Sequence, residues 1–329
     1  MPEPLSVAIL GCWHVHAADY ATSIANHPDT RLAAVWDPDA ARGRALASRF
    51  GAEFVADLGQ LLARDEIHGV SVTSATSDHR DVIVAAANAG KHIFTEKLLA
   101  PTVDQCNEIL DVAHAHGSVV TVSLPRLYEG ASLTALAALR QGKLGELTYT
   151  RVRLAHDGAL GGWLPEQFYN RSEAIGGALS DLGCHPVYLT QLFLGHRPES
   201  LTASYSSVTG RDVEDNAVMT MTFPNGAIGV AETSFVTVPG AWAFELRGTE
   251  GTILFGFGGE RMLAKGNHFD QENWTELPLG PGEPDPFERW VAAVRSGTAD
   301  TDNETAAIEL TRLVVAANRA AVSGTAERP

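Results

Sequence analysis

The sequence predicts an α/β protein: an N-terminal doubly wound parallel sheet of the Rossmann type, then an α+β domain with a large, mostly antiparallel open sheet. Three observations predict it. Over the first 124 residues, short apolar runs alternate with helical patterns of ten to fifteen residues, which implies βαβ units and a parallel sheet. Beyond Gly145, long alternating strands follow one another without intervening helices, which implies antiparallel pairing. A chain of 329 residues also exceeds one small core, so two domains are expected, 1–124 and 125–329.

In order, Leu5 to Leu10 reads as a strand and Val15 to His27 as a helix. Arg31 to Trp36, Gly69 to Thr73, His92 to Thr95 and Val119 to Ser123 are the next strands. Helices fall over Ala40 to Phe50, Asp78 to Ala89 and Val103 to His116, with Gly90 and Gly117 closing the last two. In the second half, Leu147 to Leu154 is a strand and Ala178 to Leu194 a helix. Strands follow at Ser200 to Ser207, Asn216 to Phe223, Ala227 to Val236, Ala241 to Arg247 and Thr252 to Phe257. Asn225-Gly226 marks a hairpin between two of them. Helices at Pro286 to Arg295 and Glu304 to Val322 end the chain.

A formal charge of −16 argues against nucleic acid or anionic membrane as a partner, because both require basic patches. No apolar run approaches the roughly 20 residues that span a bilayer, and Met1-Pro2-Glu3-Pro4 has no secretory pattern. The three cysteines, Cys12, Cys106 and Cys184, are widely spaced and odd in number, so a reducing cytoplasm is expected.

Gly11 follows the first strand, where a dinucleotide-binding unit places its phosphate loop. The run Gly11-Cys12-Trp13-His14-Val15-His16 keeps only the first glycine of G-x-G-x-x-G, so taken alone it reads better as a plain βα turn. Asp37 ends the second strand, 26 residues after Gly11. Its carboxylate could accept both ribose hydroxyls of NAD and repel the 2′-phosphate of NADP, or it could cap the following helix.

Glu96 and Lys97 stand at the carboxyl end of the fourth parallel strand, where open α/β sheets bind ligands, or they are an exposed Glu-Lys pair of the kind that occurs by chance. In Gly176-Gly177-Ala178-Leu179-Ser180-Asp181-Leu182-Gly183-Cys184-His185, Asp181 and His185 are four apart, hence on one face of the expected helix. Histidine, with an unperturbed pKa of about 6.5, suits proton exchange near neutrality. His156, Trp163 and Tyr169 precede this segment and could wall a pocket for a sugar ring, or simply pack. Cys12, His14 and His16 alternate as metal ligands can on a strand. A βα turn does not keep that alternation, and the Asp181/His185 pair has no third ligand at a helpful spacing, so no metal is expected.

Together these residues resemble the Gfo/Idh/MocA oxidoreductases. The resemblance runs through Ala86-Ala87-Asn88-Ala89-Gly90-Lys91-His92, Glu96-Lys97 and Gly177 to His185. It continues through Asp215-Asn216-Ala217, Phe223-Pro224-Asn225-Gly226-Ala227 and Gly248-Thr249-Glu250-Gly251-Thr252. It implies a nicotinamide cofactor, NAD rather than NADP, and a catalytic set of Lys97, Asp181 and His185. Gly11, Cys12, Trp13, His14, Val15, Asp37, Ser74, Ala75, Thr76, His79, Glu96 and Lys97 would hold that cofactor. Arg126, His156, Trp163, Tyr169, Asp181 and His185 would meet a sugar, inositol or other polyol. A homodimer or homotetramer through the C-terminal sheet is implied as well. Two departures stand out: Leu98 replaces the proline after the lysine, and Trp13 and His16 replace loop glycines. The function expected is a reversible dehydrogenase. The alternatives are a hydrolase or lyase using tightly bound NAD without net redox change, and a non-catalytic sugar or nucleotide sensor.

Overall fold

The structure is a computed structural model that describes residues 3–195 and 197–329. It divides into two compact units: the described residues up to Ser123 with Pro284–Thr311, and Leu124–Glu283 with Arg312–Pro329.

The first unit contains strands β1 (Leu5–Leu10), β2 (Thr30–Trp36), β3 (Glu53–Phe54), β4 (Gly69–Val72), β5 (His92–Thr95) and β6 (Val120–Val122). Their order in the sheet is β3-β2-β1-β4-β5-β6, all parallel, the doubly wound arrangement expected from the alternating pattern. Helices α1 (Ala17–Asn26), α2 (Ala40–Phe50), α3 (Leu58–Leu62), α4 (His79–Asn88) and α5 (Val103–Ala115) connect them. Every residue of β1 is buried, as a central strand covered on both faces requires. The short β3 and α3 were not expected from the sequence; two residues of strand and five of helix carry too little periodicity to read.

Val7, Ile9, Ile24, Val35 and Phe94 form the core together with Phe287 and Trp290. The Phe94, Phe287 and Trp290 ring centroids lie 5.5 to 6.2 Å apart. Gly69 admits the indole: a Cβ there would lie 2.8 Å from the Trp290 ring. Removing so large a buried side chain costs about 3–5 kcal/mol, which explains why residues 284–311 stay with the first unit.

In the second unit, α6 (Gly130–Arg140) leads to β7 (Leu147–Ala155). The short helices α7 (Gly158–Gly161) and α8 (Arg171–Ala174) precede α9 (Cys184–Leu194). Strands β8 (Ser200–Ser206), β9 (Asn216–Thr222), β10 (Ile228–Ser234), β11 (Ala241–Gly248), β12 (Gly251–Phe255), β13 (Met262–Gly266) and β14 (Thr275–Leu277) follow. The sheet order is β14-β13-β12-β11-β7-β10-β9-β8, antiparallel except for the β7–β10 pair. Alternation along β9 buries Ala217, Met219 and Met221, and the hairpin after it turns at Gly226 with φ +83°. Helices α10 (Pro286–Ser296) and α11 (Thr301–Ser323) complete the chain, and Asp285 caps α10 with a reciprocal Glu288 contact. No helix among the described residues is long and apolar enough to cross a membrane.

One expectation is corrected. The helix read from Ala178 begins only at Cys184, and residues 178–183 form a turn. Asp181 therefore does not share a helix face with His185. The reason was in the sequence: Pro186 lacks an N–H, and its ring would clash with the Leu182 carbonyl in a continuous helix, so it belongs in a first turn.

Candidate active site

In the first unit, the turn after β1 is built on Gly11, whose φ is +86°. A Cβ there would lie 2.5 Å from Ser74 Cα and 2.6 Å from Ser74 N, so the ends of β1 and β4 meet through a glycine. This is the point where the strand order reverses and where a dinucleotide crosses such a sheet. Ser74 Oγ is buried there with no hydrogen-bond partner among the described residues. Such a hydroxyl and such a close backbone approach fit the cofactor implied by the fold. Ala75 and Thr76 are buried beside it, while Val15 is 41% exposed.

Of the two side chains that replace loop glycines, Trp13 turns inward and His16 stays partly exposed. Trp13 is 5% exposed, and the N–H groups of Trp13 and His14 both donate to the Thr73 carbonyl, at 3.1 and 3.0 Å. Those two amides are thus directed into the protein.

Asp37 is buried and fully engaged. It accepts from the backbone N–H of Cys12, from Asp39 N at 2.7 Å, and from Arg42 Nε and Nη2 at 3.0 and 2.9 Å. The cap of α2 is Asp39, which accepts from Ala41 and Arg42 N–H groups, so the capping alternative read for Asp37 is corrected. Burial, with the Asp37 carboxylate next in effect, pushes the Cys12 thiol up to about 12.

Glu96 is the centre of a second cluster, 1% exposed at the end of β5. It meets His16 Nδ1 at 2.7 Å, accepts from the Tyr20 hydroxyl and from Lys97 N at 3.1 Å, and lies 3.7 Å from His14 Nδ1. Burial alone would raise the Glu96 carboxyl. His14, His16 and Lys97 outweigh it and hold the group well below the usual carboxylate range. Lys97 Nζ lies 3.9 Å from Glu96 Oε2 and 3.5 Å from His14 Nε2, and Lys97 is followed by a cis peptide to Leu98. His79, which burial keeps below its ordinary pKa, sets Nδ1 2.7 Å from the Leu98 carbonyl and Nε2 3.2 Å from that of Ser74. It ties the Ser74 segment to the Lys97 segment rather than presenting a ring to a ligand.

In the second unit, Gly177 approaches the segment just before β9: a Cβ there would lie 2.1 Å from the Glu214 carbonyl oxygen. Glu214 Oε1 accepts from Gly177 N and Leu179 N at 2.9 and 3.1 Å, and its carbonyl from Ala178 N at 2.8 Å. This carboxylate shapes the turn that carries Asp181, and burial raises its pKa. His185 is 8% exposed, with Nδ1 2.8 Å from the Tyr188 hydroxyl. That hydroxyl also accepts from Arg126 N at 3.1 Å, and burial raises its pKa well above the ordinary phenol value. Sequence reading missed Tyr188 and Glu214. The three-residue spacing of His185 and Tyr188 on a helix could have found the first; Glu214, 37 positions from Gly177, left no local signal.

The expected pocket residues are partly committed elsewhere. The Arg126 guanidinium pairs with Glu129 at 2.7 Å and lies 4.8 Å over the Trp242 ring. His156 stacks on Phe235 with centroids 5.0 Å apart, and lies 4.6 Å from Trp163, which is 53% exposed. Tyr169 lies under the Arg211 guanidinium at 3.8 Å, its buried hydroxyl without a hydrogen-bond partner among the described residues.

Comparison with known proteins agrees with this architecture. Residues 5–124 match the oxidoreductase family's NAD-binding Rossmann fold, and residues 132–254 match the GFO/IDH/MocA C-terminal domain. The 1,5-anhydro-D-fructose reductase of Ensifer adhaerens is 29% identical, over 78% of this chain and 77% of its own. The scyllo-inositol 2-dehydrogenase (NAD(+)) of Bacillus subtilis is 27% identical, over 82% of this chain and 80% of its own. The structure of GenD2 from gentamicin A biosynthesis, in complex with NAD, superposes with a TM-score of 0.84 at 26% identity, covering 100% of this chain and 97% of that one. The chain belongs to the Gfo/Idh/MocA oxidoreductase family, and its first unit carries that family's NAD-binding Rossmann fold.

Proposed function

We propose that this protein is an NAD-dependent dehydrogenase acting on one secondary carbinol of a sugar, inositol or related polyol, in either direction. The observation that carries the reading is the buried Glu96–Lys97 pair at the carboxyl end of β5, in a Rossmann unit whose relatives are named as sugar and polyol oxidoreductases. Bound NAD supplies the hydride acceptor. Asp37 is assigned to the ribose hydroxyls, Arg42 yielding its place on that carboxylate, and its charge favours NAD over NADP. Gly11 and Ser74 are assigned to the pyrophosphate.

Lys97 donates a hydrogen bond to the reacting oxygen and stabilises the negative charge that develops there. His185 is the general base in oxidation and the general acid in reduction. Tyr188 engages Nδ1 of the same ring and helps to orient it. Asp181 orients substrate or imidazole. Association into a homodimer or homotetramer through the eight-stranded sheet, and a cytoplasmic setting for three free cysteines, belong to the same proposal.

The test is to denature purified protein and identify any released nucleotide, then titrate stripped protein with NAD and with NADP. NAD in the supernatant, or NAD binding tighter than NADP, is expected. Binding of neither overturns the proposal.

A further inference from the structure

We propose that His14, His16 and Glu96 form a binding site for one divalent transition-metal ion of the Zn²⁺ class. One ligand atom from each residue lies within 4.8 Å of the others. Nδ1 of His16 and Nδ1 of His14 stand 2.7 and 3.7 Å from the same oxygen, Glu96 Oε1. Donors bound about 2.0–2.2 Å from a tetrahedral ion sit about 3.3–3.5 Å from each other. The first separation must therefore open by about 0.6–0.8 Å and the second close by a few tenths of an ångström.

The donor set has the right chemistry. Two imidazoles and one carboxylate suit Zn²⁺ and its neighbours in the first transition row, and leave coordination positions for water. The supporting shell is also in place. Glu96 accepts from the Tyr20 hydroxyl and from Lys97 N, the kind of outer contact that orients a metal-bound carboxylate. Access exists as well, because the His16 side chain is 42% exposed while Glu96 is buried behind it.

Binding exchanges the proton shared by His16 Nδ1 and Glu96 Oε1 for the ion, and the proton leaves to solvent; no electron moves. His14 Nδ1 gives up its 3.2 Å contact with His16 N. Lys97 faces the other carboxylate oxygen, Oε2, so the ion and the ammonium take opposite sides of one group. Sequence reading set aside the alternation of Cys12, His14 and His16 and expected no metal. In the structure Cys12 N–H points to Asp37, and Glu96, the third ligand, follows β5, 80 positions after His16.

The experiment uses full-length protein stripped with chelator and free of nucleotide. Zn²⁺ is titrated by calorimetry and Co²⁺ by its visible absorption. One equivalent is expected, with the spectrum of nitrogen and oxygen ligands. His16→Asn and Glu96→Gln should each weaken binding at least tenfold, and Cys12→Ser should leave it unchanged. His16→Asn changes a half-exposed residue, so it reports on the site even if Glu96→Gln does not fold. Binding below one equivalent, binding unaffected by His16→Asn, or binding lost in Cys12→Ser overturns the proposal. Nucleotide plays no part in the assay, so its failure leaves the dehydrogenase reading standing.

Discussion

Two glycine-led turns organise this molecule, and they solve the same problem in opposite ways. At Gly11 the chain turns with φ +86° against Ser74; the Trp13 and His14 amides then donate to Thr73, the Cys12 amide to Asp37, and the His16 ring meets Glu96. At Gly176-Gly177 the turn is shaped by a carboxylate from elsewhere, Glu214, before Pro186 fixes where α9 begins. In the first turn Trp13 is buried and the rings of His14 and His16 meet the buried Glu96. Gly177, like Gly11, is needed because a neighbouring backbone lies where a Cβ would go, whereas a Cβ at Gly176 would meet the Ser180 side chain.

The comparison breaks most directly at the glycines. Gly11→Ala and Gly177→Ala should each destabilise the protein by about 2–4 kcal/mol, read as a lower urea midpoint. Gly11 is prevented by backbone conformation as well as contact, Gly177 by contact alone. A change below about 0.5 kcal/mol at either would contradict the account of that turn.

A smaller effect is expected at Tyr188. Losing one hydrogen bond to His185 Nδ1 should lower turnover in Tyr188→Phe by about tenfold, shift the pH profile and leave KM nearly unchanged. A role in packing alone would leave the pH profile where it was.

Glu214 offers a pH test. Burial raises its folded pKa, so the folded state holds the proton more tightly than the unfolded one. The stability linked to this group is complete below the unfolded carboxylate pKa and is lost as pH rises through the raised value. Glu214→Gln keeps an oxygen for the Gly177 and Leu179 N–H groups but cannot titrate. Its stability relative to the natural protein should therefore improve with rising pH across that window, and a constant difference would contradict the assignment. The smallest expected effect is at Cys12. With its thiol pushed up to about 12, it should resist a thiol reagent at pH 8 in the native state and react on unfolding.

Much of the fold was legible because its signals are local. Apolar runs bounded by turns gave the parallel strands, and Asn225-Gly226 marked the hairpin. Glu96 and Lys97 could be placed at a strand end from the run His92 to Thr95 alone. What stayed hidden depends on partners distant in sequence. Nothing near His16 announces Glu96, and nothing near Gly177 announces Glu214. The start of α9 was misread for a different reason. Apolar spacing through Ala178 to Leu182 looked helical, and it outweighed Pro186 and Gly183, which carry the stop. Strands β13 and β14 lie in a stretch of mixed polarity whose pairing with β12 is set by the sheet.

The most direct test of the central claim is NADH formation from a panel of sugars and inositols, run with the natural protein and with His185→Ala. The account predicts polyol-dependent reduction of NAD, and turnover lower by about 10²-fold or more in the variant. NAD binding without oxidation of any polyol or reduction of the matching ketone, or unchanged turnover in His185→Ala, would contradict it.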